Sequence, residues 1–337
     1  MAGPARLTVA RVVVTAVLPE GATEPLLAAG HQVVHGGGDV GAHRLAEDLT
    51  AADAVVCTLT DRLDGDVLRA AGRLQVVSTV AVGYDNVDVA TAADLGMVVC
   101  HTPGVLDEST ADLAFLLVLA ATRLASDAER DLRAGRWRGW SVTDHLGGEV
   151  HGRTLGVVGF GRIGRAVARR AAAFDMVVRH CSRRPTGLPG EVPDLDELLG
   201  AVDVVTLHVP ATPDTHHLID RRRLGLLRPG AVLVNTARGS VVDEAALAAA
   251  LHEGMLFAAG LDVYEREPAV HPDLLTAPRT VLLPHIGSAT VPTRTAMATL
   301  ACQQVVDVLA GREPAHPVPG SPRRRIPGEK LTAPEQG

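Results

Sequence analysis

Three observations predict an α/β protein built from two doubly wound, parallel-sheet domains: the chain's length, a recurring alternation of strand-like and helix-like runs, and a glycine-rich turn between a strand and a helix. A chain of 337 residues exceeds one ordinary core and suits two domains of roughly 150 residues each. Short β-branched runs at 12–17, 54–59, 74–80 and 97–100 alternate with Ala- and Leu-rich stretches. A second series follows at 154–158, 177–178, 203–208, 232–236 and 258–261. This rhythm is that of strand–helix–strand crossovers, which lay strands parallel and put helices on both faces. Between the series, 109–134 reads as one long helix joining the domains, with Ser109 or Thr110 to cap its first turn and Gly135 to end it.

Composition narrows the functional classes. Hydrophobic residues make up 47% of the chain, yet the longest apolar stretch, 114–121, is stopped by Arg123 well short of a membrane span. The N-terminal run 7–18 is broken by Arg11 and followed by Pro19 and Glu20 rather than a small-residue cleavage site, so it reads as a buried strand and not a signal peptide. A net charge of −7 without a basic stripe disfavours nucleic acid and anionic membranes as partners; Arg323 to Arg325 form only a short tail cluster. The four cysteines, at 57, 100, 181 and 302, form no Cys-x-x-Cys pair, and His216 and His217 are adjacent rather than four apart. Reduced thiols, a cytoplasmic location and no metal are expected. Residues 321–337, rich in Pro, Gly and charge, read as a disordered tail.

The first motif with chemistry is Gly159-Phe160-Gly161-Arg162-Ile163-Gly164, directly after the run 154–158 and before a helix over 165–173. The first glycine permits a tight turn, the second lets the backbone approach a pyrophosphate, and the third packs helix on strand, with the helix N-terminus facing the anion. Alone such a triplet is a steric turn; between strand and helix it reads as a dinucleotide-binding loop. At the end of the next strand stands His180-Cys181-Ser182-Arg183-Arg184-Pro185, without the acid that grips the ribose 2′-hydroxyl of NAD. Two guanidinium groups suit a 2′-phosphate, so NADP is the preferred expectation over NAD; the competing reading is a solvated loop.

Three further segments each follow a strand-like run: Asn235-Thr236-Ala237-Arg238-Gly239, Gly260-Leu261-Asp262-Val263-Tyr264-Glu265-Arg266-Glu267-Pro268 and Leu283-Pro284-His285-Ile286-Gly287-Ser288-Ala289-Thr290. Carboxyl ends of strands line the ligand crevice of an open α/β sheet, so residues distant in sequence can converge there. With the glycine motif and Val80-Ala81-Val82-Gly83-Tyr84-Asp85-Asn86-Val87-Asp88, these segments resemble the signatures of D-2-hydroxyacid dehydrogenases over about 12–319, most of all glyoxylate/hydroxypyruvate reductases.

The resemblance implies a Rossmann dinucleotide-binding domain at 105–288, and a discontinuous flavodoxin-like substrate domain at 1–104 and 289–320. It implies reduction of a small 2-oxo acid to its D-2-hydroxy acid, or the reverse, with Arg238, Glu267 and His285 catalytic. The residue types suit that chemistry. A guanidinium fork such as Arg238 holds a carboxylate while polarising the adjacent carbonyl. An imidazole such as His285 delivers the proton the forming alkoxide needs. A carboxylate beside the imidazole, Glu267 by the resemblance and with Glu265 as competitor, favours its charged form and fixes the ring. Singly, these three read as a surface charge, a turn residue and a strand-end histidine; in this order and context they read as a set.

The resemblance further assigns the substrate carboxylate to the amides of Val82 and Gly83. It puts Asp262 and Gly287 near the nicotinamide amide, and Thr110, Val209, Pro210 and Thr236 beside the cofactor. Trp137 and Trp140, the chain's only tryptophans, are packing residues by default. The resemblance implies a homodimer in which Trp140 reaches the partner's substrate pocket. Two rivals remain: a dinucleotide-sensing corepressor, disfavoured by the intact Arg238, Glu267 and His285, and a dehydrogenase of phosphite or a phosphonate, disfavoured because phosphite dehydrogenases carry lysine where this chain has Val82.

Overall fold

The computed structural model describes residues 9–36 and 42–322. All but the first two residues of the expected tail lie outside that description, as do Arg323 to Arg325. The chain divides into two compact units, with boundaries at Leu106/Asp107 and Ala289/Thr290.

The first unit runs β1 (Arg11–Val14), α1 (Glu24–Ala28), β2 (Gln32–His35), α2 (Ala42–Leu49), β3 (Ala54–Cys57), α3 (Gly65–Ala70), β4 (Val76–Thr79), α4 (Val89–Asp94) and β5 (Val98–Cys100). The second runs α5 (Asp107–Thr122), α6 (Ala125–Arg133), β6 (Thr154–Val158), α7 (Arg162–Ala173), β7 (Val177–Cys181), α8 (Leu195–Ala201), β8 (Val204–Leu207), α9 (Arg221–Leu224), β9 (Val232–Asn235), α10 (Glu244–His252), β10 (Ala258–Leu261), α11 (Pro272–Thr276) and β11 (Thr280–Leu282). Then α12 (Val291–Leu309) rejoins the first unit.

The first sheet has the parallel order β2-β1-β3-β4-β5, which is the flavodoxin-like order. Successive side chains go to opposite faces. Val13, Val55, Val77 and Val99 pack under Leu49 and Leu68. Val12, Val14, Val56 and Val98 pack against Leu26 of α1 and Cys302 and Val305 of α12. Burial on both faces is why these strands are unbroken β-branched runs rather than alternating ones.

The second sheet has the parallel order β11-β10-β9-β8-β6-β7. A parallel bridge between His180 and Glu191 adds one more neighbour outside β7, completing the Rossmann order on that side of β6. Val205, Leu207, Leu233 and Leu261 meet Leu198, Leu199 and Leu247 on one face. Leu155, Val157, Val204 and Val232 meet Ala114, Leu117 and Val167 of α5 and α7 on the other.

The single long helix expected over 109–134 is two helices, bent by 69° at the break. Leu124 takes the left-handed conformation (φ 52), and the carbonyl of Thr122 accepts the N–H of Gly148 at 2.8 Å instead of continuing the helix. The burial demands also part there: α5 is an apolar core helix, whereas no residue of α6 is buried. Asp107 opens α5, so Ser109 and Thr110 lie inside its first turn and do not precede it. No single helix among the described residues is long and apolar enough to cross a membrane.

Candidate active site

The glycine motif joins β6 to α7. Gly159 has φ 92, and a Cβ there would lie 2.5 Å from the carbonyl oxygen of His208; a Cβ on Gly164 would lie 2.2 Å from the oxygen of Gly159. Both close approaches demand glycine. Gly161, the N-cap of α7, faces open space and carries no side-chain cap. The first-turn amides of this helix therefore point into an open cradle suited to an anion. Arg162 pairs with Asp107 at 3.1 Å, and Ile163 packs on the core beneath.

Phe160 stacks on the imidazole of His180, with centroids 3.8 Å apart and planes 17° apart. Its N–H donates to Ser182 Oγ at 2.8 Å, so the serine ties the two loops and keeps its own proton for another acceptor. Burial pushes the His180 pKa down, and His180 Nε2 lies 2.8 Å from Thr186 Oγ1. Glu191 accepts the N–H groups of Thr186 (2.7 Å) and Gly187 (2.8 Å), and these bonds hold its carboxyl below the usual range. Arg183 and Arg184 project into solvent from this braced loop.

Val209 packs on the core after β8, and the carbonyl of Pro210 accepts the Thr215 hydroxyl at 2.7 Å. After β9, the hydroxyl of buried Thr236 has no partner among the described residues. Asp262, after β10, is buried and accepts the N–H groups of Ile286 (2.7 Å) and Gly287 (2.8 Å). Burial nonetheless leaves its pKa raised. A Cβ on Gly287 would lie 3.2 Å from Asp262 Oδ2 and 3.5 Å from Thr110 Cγ2, so these three residues meet. The open cradle, the orphaned hydroxyl and the close-approach glycines fit a dinucleotide.

The Arg238 loop is set by Asn235, whose Nδ2 donates to the Arg238 carbonyl (2.9 Å) and whose Oδ1 accepts the Ala237 N–H (3.0 Å). Next to it, a Cβ on Gly239 would sit 1.8 Å from the carbonyl carbon of Tyr264, so only glycine lets this loop lie on the one bearing Glu267. Glu267 accepts the Tyr264 N–H on Oε1 (2.9 Å), and its Oε2 lies 2.7 Å from His285 Nδ1. Burial opposes ionisation of Glu267, but the His285 and Tyr264 hydrogen bonds and the Arg238 charge outweigh it and lower its pKa. An ionised carboxylate only accepts, so Nδ1 of His285 carries the hydrogen and Nε2 is left for chemistry. His285 itself adopts φ 54, and its N–H donates to the Asp262 carbonyl at 2.9 Å.

Arg238, Glu267, His285, the Thr110–Asp262–Gly287 group and the glycine loop all belong to the second unit, whereas Val82 and Gly83 follow β4 in the first. Trp140, 85% exposed, and Trp137 lie on the irregular segment after α6 and join none of these contacts.

The family model for the NAD-binding domain of D-isomer specific 2-hydroxyacid dehydrogenases matches residues 115–287. The glyoxylate reductase of Thermococcus onnurineus is 45% identical over 80% of this chain and 84% of its own. The chain belongs to the D-isomer specific 2-hydroxyacid dehydrogenases. The glyoxylate reductase of Thermofilum pendens is 42% identical over 90% of this chain and 93% of its own. Among solved structures, a Thermus thermophilus protein has 45% identity and a TM-score of 0.87, over 91% of this chain and 99% of that one. The NADPH-dependent glyoxylate/hydroxypyruvate reductase of Sinorhizobium meliloti, in complex with NADP and malonate, has 36% identity and a TM-score of 0.84, over 95% of this chain and 99% of that one.

This D-2-hydroxyacid dehydrogenase is therefore an NAD(P)-dependent oxidoreductase acting on CH–OH groups. Several residues that brace this candidate site carry no motif in the sequence. Glu265 pairs with His217 Nε2 while its N–H is held by Glu244 Oε1 at 2.7 Å, leaving the imidazole of His285 to Glu267. Glu244 Oε2 also takes the His271 N–H at 3.3 Å, bracing both ends of the loop that carries Glu267. No spacing signals this: 21 residues separate Glu244 from Glu265, and 48 separate His217 from Glu265.

Proposed function

We propose that this dehydrogenase reduces glyoxylate or hydroxypyruvate, with NADPH preferred over NADH. The observation that carries the reading is the His285–Glu267 bond beside the Arg238 loop. Residues of the second unit would hold the dinucleotide, and the Val82 and Gly83 amides would receive the substrate carboxylate. When bound, NAD(P)H supplies the hydride for the carbonyl carbon.

Arg238 holds the oxo acid through its guanidinium and draws charge toward the carbonyl oxygen. As that oxygen becomes an alkoxide, His285 gives it the proton carried on Nε2, and Glu267, bound to Nδ1, keeps the ring oriented. A half-buried carboxylate whose neighbours favour its ionised form is suited to this. Thr110, Asp262 and Gly287 would hold the nicotinamide end of the cofactor, and Phe160, Gly161, Arg162 and Ile163 its pyrophosphate. Val209, Pro210 and Thr236 would flank it.

Trp137 and Trp140 are 58% and 85% exposed, with Val142 and Leu146 exposed nearby. Such an apolar patch is expected to be covered, and we assign its cover to a second copy of the chain, with Trp140 reaching the partner's substrate. Sedimentation of the native enzyme as a monomer would overturn this dimer. The four cysteines are free and three are buried, in accord with a reducing, cytoplasmic compartment.

Native enzyme is expected to turn over glyoxylate and hydroxypyruvate with NADPH. His285→Ala should lose roughly 10²–10⁴ in kcat, the usual contribution of a positioned acid, with NADPH affinity unchanged. Turnover of neither acid, or an active His285→Ala, contradicts the assignment.

Cofactor preference follows from Ser182, Arg183 and Arg184. Charge-assisted bonds to a 2′-phosphate contribute about 1.5–3 kcal/mol each, so kcat/KM should favour NADPH by roughly tenfold or more, and less at high salt. In Ser182→Asp/Arg183→Ala, the new carboxylate can still accept the Phe160 N–H while repelling the phosphate, so the preference should reverse. An unaltered ratio would reduce these residues to a solvated loop.

A further inference from the structure

Val82 C=O and Gly83 N–H belong to one planar trans peptide and therefore point in opposite directions. Glycine on one side of that peptide makes its rotation cheap, so an amide meant to receive a ligand there needs an external hold. His101, just past β5, supplies one: its Nδ1 lies 2.8 Å from the Val82 carbonyl oxygen. A carbonyl only accepts, so Nδ1 is the donor. The preceding carbonyl is caught as well, since Thr102 N–H donates to Ala81 O at 2.8 Å. Two consecutive carbonyls of the loop are thus held from two consecutive residues of one strand exit.

His101 is itself fixed. Its carbonyl accepts Gln304 Nε2 at 3.0 Å, and its N–H donates to His316 O at 3.2 Å. Gln304 is fully buried on α12 and accepts the His316 N–H on Oε1 at 2.8 Å. The imidazole packs edge-on against Tyr84, with centroids 5.4 Å apart and planes 87° apart. All of these groups lie in the first unit.

We infer that His101 is a positioning residue that holds the Val82–Gly83 peptide so that the Gly83 amide faces the substrate carboxylate. The inference rests on the proposed role of the Val82 and Gly83 amides. Through this bond, His101 sets substrate affinity without touching the substrate.

The test compares steady-state constants for glyoxylate at saturating NADPH. His101→Leu fills the space but cannot donate, and should raise KM roughly 3- to 10-fold, the range set by one net hydrogen bond, with kcat little changed. His101→Asn, whose amide nitrogen can stand where Nδ1 stands, should keep the native KM. Should the leucine variant not fold, His101→Ala carries the same expectation as leucine. A separate chain with the Gly83 amide replaced by an ester loses that N–H, and also weakens the Val82 carbonyl as an acceptor for His101, so it should raise KM as well. If the ester raises KM but leucine or alanine does not, the role of His101 is overturned and the carboxylate reading stands. If the ester leaves KM native, the carboxylate reading falls and the inference with it. A raised KM in His101→Asn equal to that of leucine would overturn the inference too, because the ring's packing, and not its donor, would then matter.

Discussion

The candidate site depends on one bond, that between the Glu267 carboxylate and Nδ1 of His285. It fixes which ring nitrogen carries a hydrogen toward Glu267 and leaves Nε2 outside the bond. Two half-buried side chains of 25% and 27% exposure make it, so it holds only because backbone groups hold its members. Glu267 is tied by the Tyr264 N–H, and the His285 backbone is tied to the Asp262 carbonyl.

Behind that bond stand two buried carboxylates with opposite electrostatics to Glu267. Asp262 and Glu244 both have raised pKa values, with burial the largest cause. Each spends its oxygens on backbone N–H groups: Asp262 on Ile286 and Gly287, Glu244 on Glu265 and His271. Charge-assisted bonds of this kind offset desolvation, and here they lock the two loops that present His285 and Glu267. Glu267 differs because a histidine and the charge of Arg238 face it, which makes its ionised form the favoured one. The sheet supplies the frame: β9, β10 and β11 are parallel neighbours, so the loops after them emerge at one edge.

Much of this is legible in the sequence, because strands buried on both faces appear as β-branched runs and close-approach turns demand glycine. The runs at 54–59, 74–80 and 258–261 contain β3, β4 and β10, and the glycine motif does sit between β6 and α7. What escaped depends on tertiary partners. The break between α5 and α6 is stabilised by the Gly148 N–H, which captures the Thr122 carbonyl. The edge strand β2 has no buried residue, so it lacks the signature of its neighbours. The division of labour between Glu265 and Glu267 is decided by His217, and two acids a residue apart give no local hint of it. His101 likewise acts on a carbonyl 19 residues away.

The Glu267–His285 bond can be observed directly in a nitrogen–proton NMR spectrum of protein labelled at its histidine ring nitrogens. We expect a protected, downfield Nδ1–H resonance for His285 that disappears in Glu267→Ala and survives in Glu265→Ala. A neutral His285 ring carrying its hydrogen on Nε2 alone, or a resonance lost with Glu265 rather than Glu267, would contradict this arrangement.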